Sequence, residues 1–369
     1  MNRTPLFDGH TVLGAKLVDF AGWEMPIQYS GVVDEYYSVR RASGLFDVSH
    51  MGRIAVTGSG ALAFLQRVTT NDVATIGVLQ SHYSMLCNPE GGIKDDIFIY
   101  RTEPDVYLVC VNAGNREKIV AWLATQLTGE DVVELRDRSG EIAQLALQGP
   151  ASSSILGELN VGGLEALKPR QCLNTTLAGA PSLITRTGYT GEVGYELYIP
   201  VESALRIWNE LLTRGKAAGL KPVGLGARDL LRLEMAYLLY GNDITEDTTP
   251  LEAGADWVVS FKKGPFIGRD ALQRQKQEGL GRRLAAFELL EKAVPRHGFS
   301  ILSTDQPGGE QIGEVTSGNL SPMLQKGIGL CYLPPARTHP GSTIAVDIRQ
   351  RRVPAIVVKP PFYQRQRQG

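Results

Sequence analysis

No cysteine in this chain has a partner at metal or redox spacing. Cys87, Cys110, Cys172 and Cys331 lie far apart and form no CxxC pair, which argues against a zinc ribbon or a disulfide framework. The five histidines, His10, His50, His82, His297 and His339, form no HxH or HExxH arrangement, so no metal centre is expected. His50, in FDVSHMG, has no neighbouring nucleophile and reads as a hydrogen-bonded structural histidine. Excess charge is missing as well. The 38 Lys and Arg balance 39 Asp and Glu, which leaves no field to hold a polyanion, and nucleic acid is not an expected partner. No stretch approaches the roughly 18 uninterrupted apolar residues of a membrane helix. Asp8, His10 and Lys16 break up the N-terminal apolar residues, so no signal-peptide core is present. A soluble chain in a reducing cytoplasm is the setting these absences favour. P-loop and GxSxG signatures are absent. The segment GSGALA at 58–63 fits a dinucleotide fingerprint only loosely, since no acid precedes Glu90 where a second strand should end in one; it reads as an ordinary strand-to-helix turn.

What is present is apolar residue and glycine. At ~150 residues per domain, 369 residues suggest two or three domains, and 43% hydrophobic residues suffice for separate cores. Glycine is one residue in nine, 41 of 369, and is spread along the chain. Against a usual ~7%, that implies many tight turns and favours antiparallel strands. Helical spacing marks residues 31–42, 61–68, 114–127, 202–214 and 227–240, with Asn112 or Asn115 available to cap the third. Strands are expected at 53–58, 142–148 and 181–186. A three-stranded meander is expected from SHYSMLC through the turn formers Asn88–Gly92 to DIFIYR and VYLVCVN. Residues 193–199 alternate, with Val193, Tyr195, Leu197 and Ile199 on one face; if that face is core, Glu196 points away from it, toward solvent or a cleft.

After about residue 275 the composition changes. QRQKQEGLGRR is polar and basic, and beyond it short β-rich pieces separated by Pro and Gly suit a small barrel or sandwich. We therefore expect one region at 1–275 and a β domain at 276–369. From Arg337 to the end, seven Lys or Arg face one acid, Asp347. Three local patterns invite a chemical reading. Asp95 and Asp96 enter an apolar strand after a Gly-Gly turn, so alternation turns one carboxylate toward buried neighbours, where it must be bonded or functional. The polar, glycine-rich RTGYTGEVGYE (186–196) delivers Tyr189 and Glu196 beside a turn. Arg228 opens a helix, where a cation opposes the dipole, which suggests an anionic or carbonyl partner.

Taken together, LFDVSHMG (45–52), GGIKDD (91–96), RTGYTGEVGYE (186–196), GLGARDLLRLE (224–234), PFIGRDAL (265–272), TSGNLSP (316–322) and KPPFY (359–363) resemble the T-protein family of the glycine cleavage system, the aminomethyltransferases. They run in family order over nearly the whole chain. The resemblance implies an α+β fold: a three-domain cloverleaf with antiparallel sheets, the last domain a small β barrel or jelly roll, around a central folate channel. It implies transfer of the methylene of an aminomethyl group, carried on the lipoyl arm of the H protein, to tetrahydrofolate with release of ammonia. Positive charge develops on the methylene as ammonia leaves, and a fixed carboxylate stabilises it and can accept a proton. By the GG(I/V)xDD motif that acid is Asp96, with Asp95 as support or turn structure. Glu196 would grip the amidine-like edge of the pterin. Arg228 would hold a folate oxygen, Tyr83, Tyr189 and Tyr237 would wall the rings, and Asn112 would hydrogen-bond nearby. The competing readings are a folate-dependent demethylase with another one-carbon donor and a folate-binding assembly factor. The latter branch carries a cysteine where this chain reads KKGPFIGRD (262–270).

Overall fold

In the computed structural model, which describes residues 1–304 and 306–365, short strands and amphipathic helices build two open sheets, a two-stranded ribbon and a closed barrel. The chain forms two compact units, one comprising Met1–Ser84 and Asp95–Arg228, the other Met85–Lys94 and the chain from Asp229 onward.

The first unit is organised by alternation along its strands. Gly194–Pro200 pairs antiparallel with Ile142–Gln148 and Ala180–Thr185, and Ile142–Gln148 pairs in turn with Ser43–Asp47. Cys172–Leu177 and the short Leu220–Pro222, which runs parallel to its neighbour, complete six strands. Tyr195, Leu197 and Ile199 share one core with Leu145, Leu147 and with Ile207, Trp208 and Leu211 of the helix Ala204–Gly215. Each such fully buried side chain contributes about 1.5–3 kcal/mol of transfer free energy, so the strand has no competing register. The opposite face is also covered. Tyr198 and Cys172 pack against Tyr100, Leu108 and Cys110 of a five-stranded antiparallel sheet in the order Gln80–Cys87, Ile93–Glu103, Val106–Val111, Gly52–Thr57, Glu134–Asp137. Glu196 therefore lies half-buried in the layer between two sheets, not facing open solvent. The expected meander is present. Its Asn88–Gly92 turn closes with the Asn88 N–H donating to the Gly92 carbonyl at 2.8 Å and the Gly92 N–H donating to the Asn88 side chain at 2.7 Å.

In the second unit six strands, Arg283–Leu289, Ser300–Leu302, Gln311–Ser321, Lys326–Leu333, Thr343–Ile348 and Arg351–Val358, close into a barrel. Phe287, Ile301, Val315, Leu333, Val346, Val353 and Val357 fill it, and closure leaves no unpaired sheet edge. The expected boundary at 275 falls within the helix Arg269–Glu278, shortly before the first barrel strand. The basic C-terminal stretch is described as far as Arg365; Arg367, part of its charge, lies outside the described residues.

Two helices depart from the periodicity reading. The helix expected to run to 240 is Leu225–Glu234. Ala236 takes a left-handed backbone, φ 54°. The Tyr237 N–H reaches the Arg232 carbonyl at 3.0 Å and the Ala236 N–H reaches the Leu233 carbonyl at 2.8 Å, a Schellman ending that stops the helix despite the apolar residues beyond it. The helix Arg116–Thr125 starts at the expected place, but neither Asn112 nor Asn115 caps it. Their side chains bind Asp95 instead, because a buried carboxylate accepts a charge-assisted bond stronger than a neutral cap.

Candidate functional site: an acid pair and its asparagine

Alternation along Ile93–Glu103 places Asp95 fully buried beside Ile97 and Ile99, and turns Asp96 to the half-buried face with Phe98. Asp95 is thus the carboxylate that needed partners, and it has them. Its Oδ2 accepts the Asn112 backbone N–H at 2.9 Å; its Oδ1 accepts the side-chain amides of Asn112 at 2.8 Å and Asn115 at 2.6 Å. Burial, reinforced by the charge of Asp96, pushes its carboxyl well above the ordinary range, and the asparagine bonds only partly offset this.

Asp96 is gripped on both oxygens. Asn112 Nδ2 donates to Oδ1 at 2.7 Å, and the Tyr83 hydroxyl donates to Oδ2 at 2.9 Å. Burial and the neighbouring Asp96 push the Tyr83 phenol well above its usual pKa, so it stays a donor across the physiological range. Tyr83 leans on Phe98 with ring centroids 5.8 Å apart, Phe98 stacks on Tyr100 at 5.8 Å, and Tyr100 meets Tyr198 edge-on at 5.4 Å. This aromatic row runs from Asp96 to Glu196, whose carboxylate accepts the Gln144 amide on Oε1 at 3.1 Å and, on Oε2, the hydroxyls of Thr187 and, at 3.4 Å, Tyr100.

Tyr189 and Arg228 come together although they are distant in sequence: the guanidinium lies 4.7 Å from the ring centroid, a cation–π stack. Tyr189 also bears electrostatically on Tyr83. The loop that presents Tyr189 is wrapped around one buried amide. Gln148 Nε2 donates to the carbonyls of Thr187 at 3.2 Å and Tyr195 at 3.3 Å, and Gln148 Oε1 accepts the Thr190 hydroxyl at 2.9 Å. A Cβ at Gly188 or Gly194 would stand 2.0 Å or 2.4 Å from that amide. The fully desolvated pair Arg40–Glu192, at 2.8 Å, ties the same loop to the helix Val32–Arg41, and Arg40 also donates to the Thr190 carbonyl at 2.7 Å.

Six of the seven expected site residues, Tyr83, Asp96, Asn112, Tyr189, Glu196 and Arg228, belong to the first unit. Tyr237 belongs to the second. It follows the Schellman turn, is 37% exposed, and its carbonyl accepts a bond from Arg232 at 3.2 Å. Sequence reasoning missed Asn115 and Gln148. The first had a signal, an asparagine three residues after Asn112 that suits an inward-facing pair equally well. The second had none within its own strand.

His50 is buried, as expected of a structural histidine, but one of its ring nitrogens, Nδ1, lacks the expected hydrogen bond. Its ring edge packs on Phe20 at 5.6 Å. Burial pushes its pKa down to about 3; Asp47 opposes this, while Arg228 and Arg53 add to it. The motif's other polar member, Asp47, is bonded. It accepts Thr4 at 2.6 Å, the Ser49 N–H at 2.8 Å and the His10 imidazole at 2.9 Å. Burial works against its charge, but these bonds prevail and hold it at about 2.

Fold and site together define an α+β protein with a C-terminal barrel and a centre built on a carboxylate pair. Residues 6–263 match the family model described as the GCVT N-terminal domain, and residues 282–364 match the glycine cleavage T-protein C-terminal barrel domain. An aminomethyltransferase of Halothermothrix orenii is 47% identical over 98% of this chain and 100% of its own length, and that of Bacillus subtilis is 43% identical over 99% and 100%. The crystal structure of the glycine cleavage system aminomethyltransferase T from Bartonella henselae superposes with a TM-score of 0.92 at 34% identity, covering 99% of both chains. The chain belongs to the glycine cleavage T-protein family, and its activity is that of an aminomethyltransferase. Among the described residues no helix is long and apolar enough to cross a membrane, and no three His, Cys, Asp or Glu are grouped to hold a metal ion.

Proposed function

We propose that this chain takes the methylene from an aminomethyl group on the lipoyl arm of an H protein, passes it to tetrahydrofolate and releases ammonia. Residues 1–275 would carry the folate-binding region and 276–369 the barrel domain. Tetrahydrofolate would supply the nitrogens that take up the carbon. The observation that carries the reading is the gripped carboxylate of Asp96, with tyrosines and an arginine gathered on the same unit. An anion fixed by Tyr83 and Asn112 needs no reorganisation to face a developing positive charge, and Asp96 can accept the proton released as the transfer completes. The donor set suits a flat, polar heterocycle. Tyr83 and Tyr189 offer aromatic faces, and Arg228 offers a donor fork for an oxygen. Glu196 Oε1 accepts one bond, from Gln144, and an ionised carboxylate oxygen can take a second.

The test replaces Asp96 by Asn. With aminomethylated H protein and tetrahydrofolate as substrates, ammonia release should fall roughly 10²–10⁴-fold, the span of a lost general acid–base group, while tetrahydrofolate binding is largely kept. Full transfer in Asp96→Asn would refute the role given to that acid, and no ammonia above a carrier-free control in the wild type would refute the substrate assignment.

A further inference from the structure

The neighbour of the proposed acid is built at a cost that turn-making does not explain. A carboxylate buried beside isoleucines is unfavourable unless it is fully hydrogen-bonded, yet a turn or strand start could use Ser or Asn in the same place. All three bonds to Asp95 come from neutral donors, two of them on Asn112 and the third on Asn115. Asn112 in turn divides its one amide between the two acids, at 2.8 Å to Asp95 Oδ1 and 2.7 Å to Asp96 Oδ1, with a longer 3.2 Å approach to the Asp96 carbonyl.

We infer that Asp95 is a positioning residue for the transfer reaction, acting through Asn112 to hold the carboxylate of Asp96 in one orientation. The inference rests on the function proposed above. A primary amide is nearly symmetric in shape and opposite in sense: turned by 180°, it presents an oxygen where it had presented two N–H groups. Acceptors on both sides settle that sense for Asn112, because the flipped amide would set its oxygen against two carboxylates. Without Asp95 the choice rests on Asp96 alone. The backbone bond from Asn112 N to Asp95 Oδ2 also pins the end of the Val106–Val111 strand, so that side chain and main chain are registered to the same anion. The raised proton affinity of Asp95 fits this placement: two carboxylates joined through one amide do not readily carry two full charges. An Asn at 95 has a single acceptor oxygen, so it cannot satisfy both the Asn112 N–H and the two side-chain amides.

The experiment compares the full-length wild type, Asp95→Asn, Asn112→Ala and the double variant. It measures kcat and KM for methylene transfer, the Kd for tetrahydrofolate without carrier, and thermal unfolding. Asp95→Asn should lower kcat at least 10-fold with Kd within about threefold of wild type. Its melting temperature should fall modestly, since one of the three donors that now reach Asp95 loses its acceptor. In the Asn112→Ala background the same substitution should change kcat little, because its route to Asp96 is already cut. Unchanged kcat in Asp95→Asn, or losses that multiply in the double variant, would overturn the inference. If Asp95→Asn does not fold, Asn115→Ala decides, because Asn115 bonds Asp95 and not Asp96: a kcat loss at constant Kd supports the link, and an unaltered kcat breaks it. Failure of the functional reading looks different, since wild type itself would then neither bind tetrahydrofolate nor transfer the carbon.

Discussion

Acid should cost this protein stability through one imidazole. His50 is neutral and buried, with its pKa pushed down to about 3, whereas an unfolded histidine titrates near 6.5. Below pH 6.5 the unfolded chain therefore takes up a proton that the folded chain refuses, and stability falls as pH drops through the window from 6.5 to about 3. At pH 5, about 1.5 units into that window, the loss is about 2 kcal/mol at about 1.4 kcal/mol per unit. Asp95 works the other way. Its carboxyl is raised by burial and by Asp96, so the folded chain binds that proton more readily and gains stability as pH falls from neutrality. A wild-type profile alone would mix the two. Urea unfolding of wild type and His50→Gln, each at pH 7.5 and pH 5.0, separates them, since both proteins carry Asp95. The wild type should lose about 2 kcal/mol more than the variant between the two pH values. Whatever His50→Gln itself costs in packing is common to both and cancels. Parallel profiles would show that His50 is solvated or bonded in solution, and the reasoning from its burial would fall.

Two further outcomes follow from side chains already described. Gln148→Leu removes the amide that the 187–195 segment encloses, and should raise KM for tetrahydrofolate about 10-fold with a smaller change in kcat, at about 1–3 kcal/mol of stability for the orphaned groups; an unaltered KM in steady-state kinetics would show that the loop keeps its shape without it. Burial raises the thiols of Cys87, Cys110 and Cys172 to about 12 and raises that of Cys331 too, so iodoacetamide at pH 8 should label none in the native protein and all four in urea. Rapid native labelling of any of them would contradict the burial.

Periodicity carried the architecture where the pattern was local. The 193–199 alternation, the meander of three strands and four of the six barrel strands follow from spacing and turn residues alone, because each buries one face against whatever lies across from it; Ser300–Leu302 and Gln311–Ser321 were not marked by their spacing. Periodicity failed at Ala236. A left-handed alanine ends the helix there by a hydrogen-bond exchange that apolar spacing does not encode, and Leu238, Leu239 and Tyr240 only look like its continuation. The site was legible to the same degree. Motif order pointed to Asp96 and Glu196 as candidates, and alternation required that one of the two acids be bonded or functional, which the structure answers with the bonds to Asp95. That Asn115 would serve Asp95 and not the helix end was not readable, because a cap and an inward bond ask for the same residue. For His50 the sequence indicated a structural role, but not that its ring would meet Phe20 with one nitrogen unbonded.

The enclosure of Gln148 makes three positions answerable to one another. Where a glutamine occupies 148, neither 188 nor 194 has room for a methyl group, and a smaller residue at 148 would open a hole under the loop and strip it of the bonds to the Thr187 and Tyr195 carbonyls and the Thr190 hydroxyl. Divergence at any of these sites thus has to pass through a damaged intermediate or arrive as a concerted change. Directed evolution of this loop would do better to diversify 148, 188 and 194 as a single block than one codon at a time.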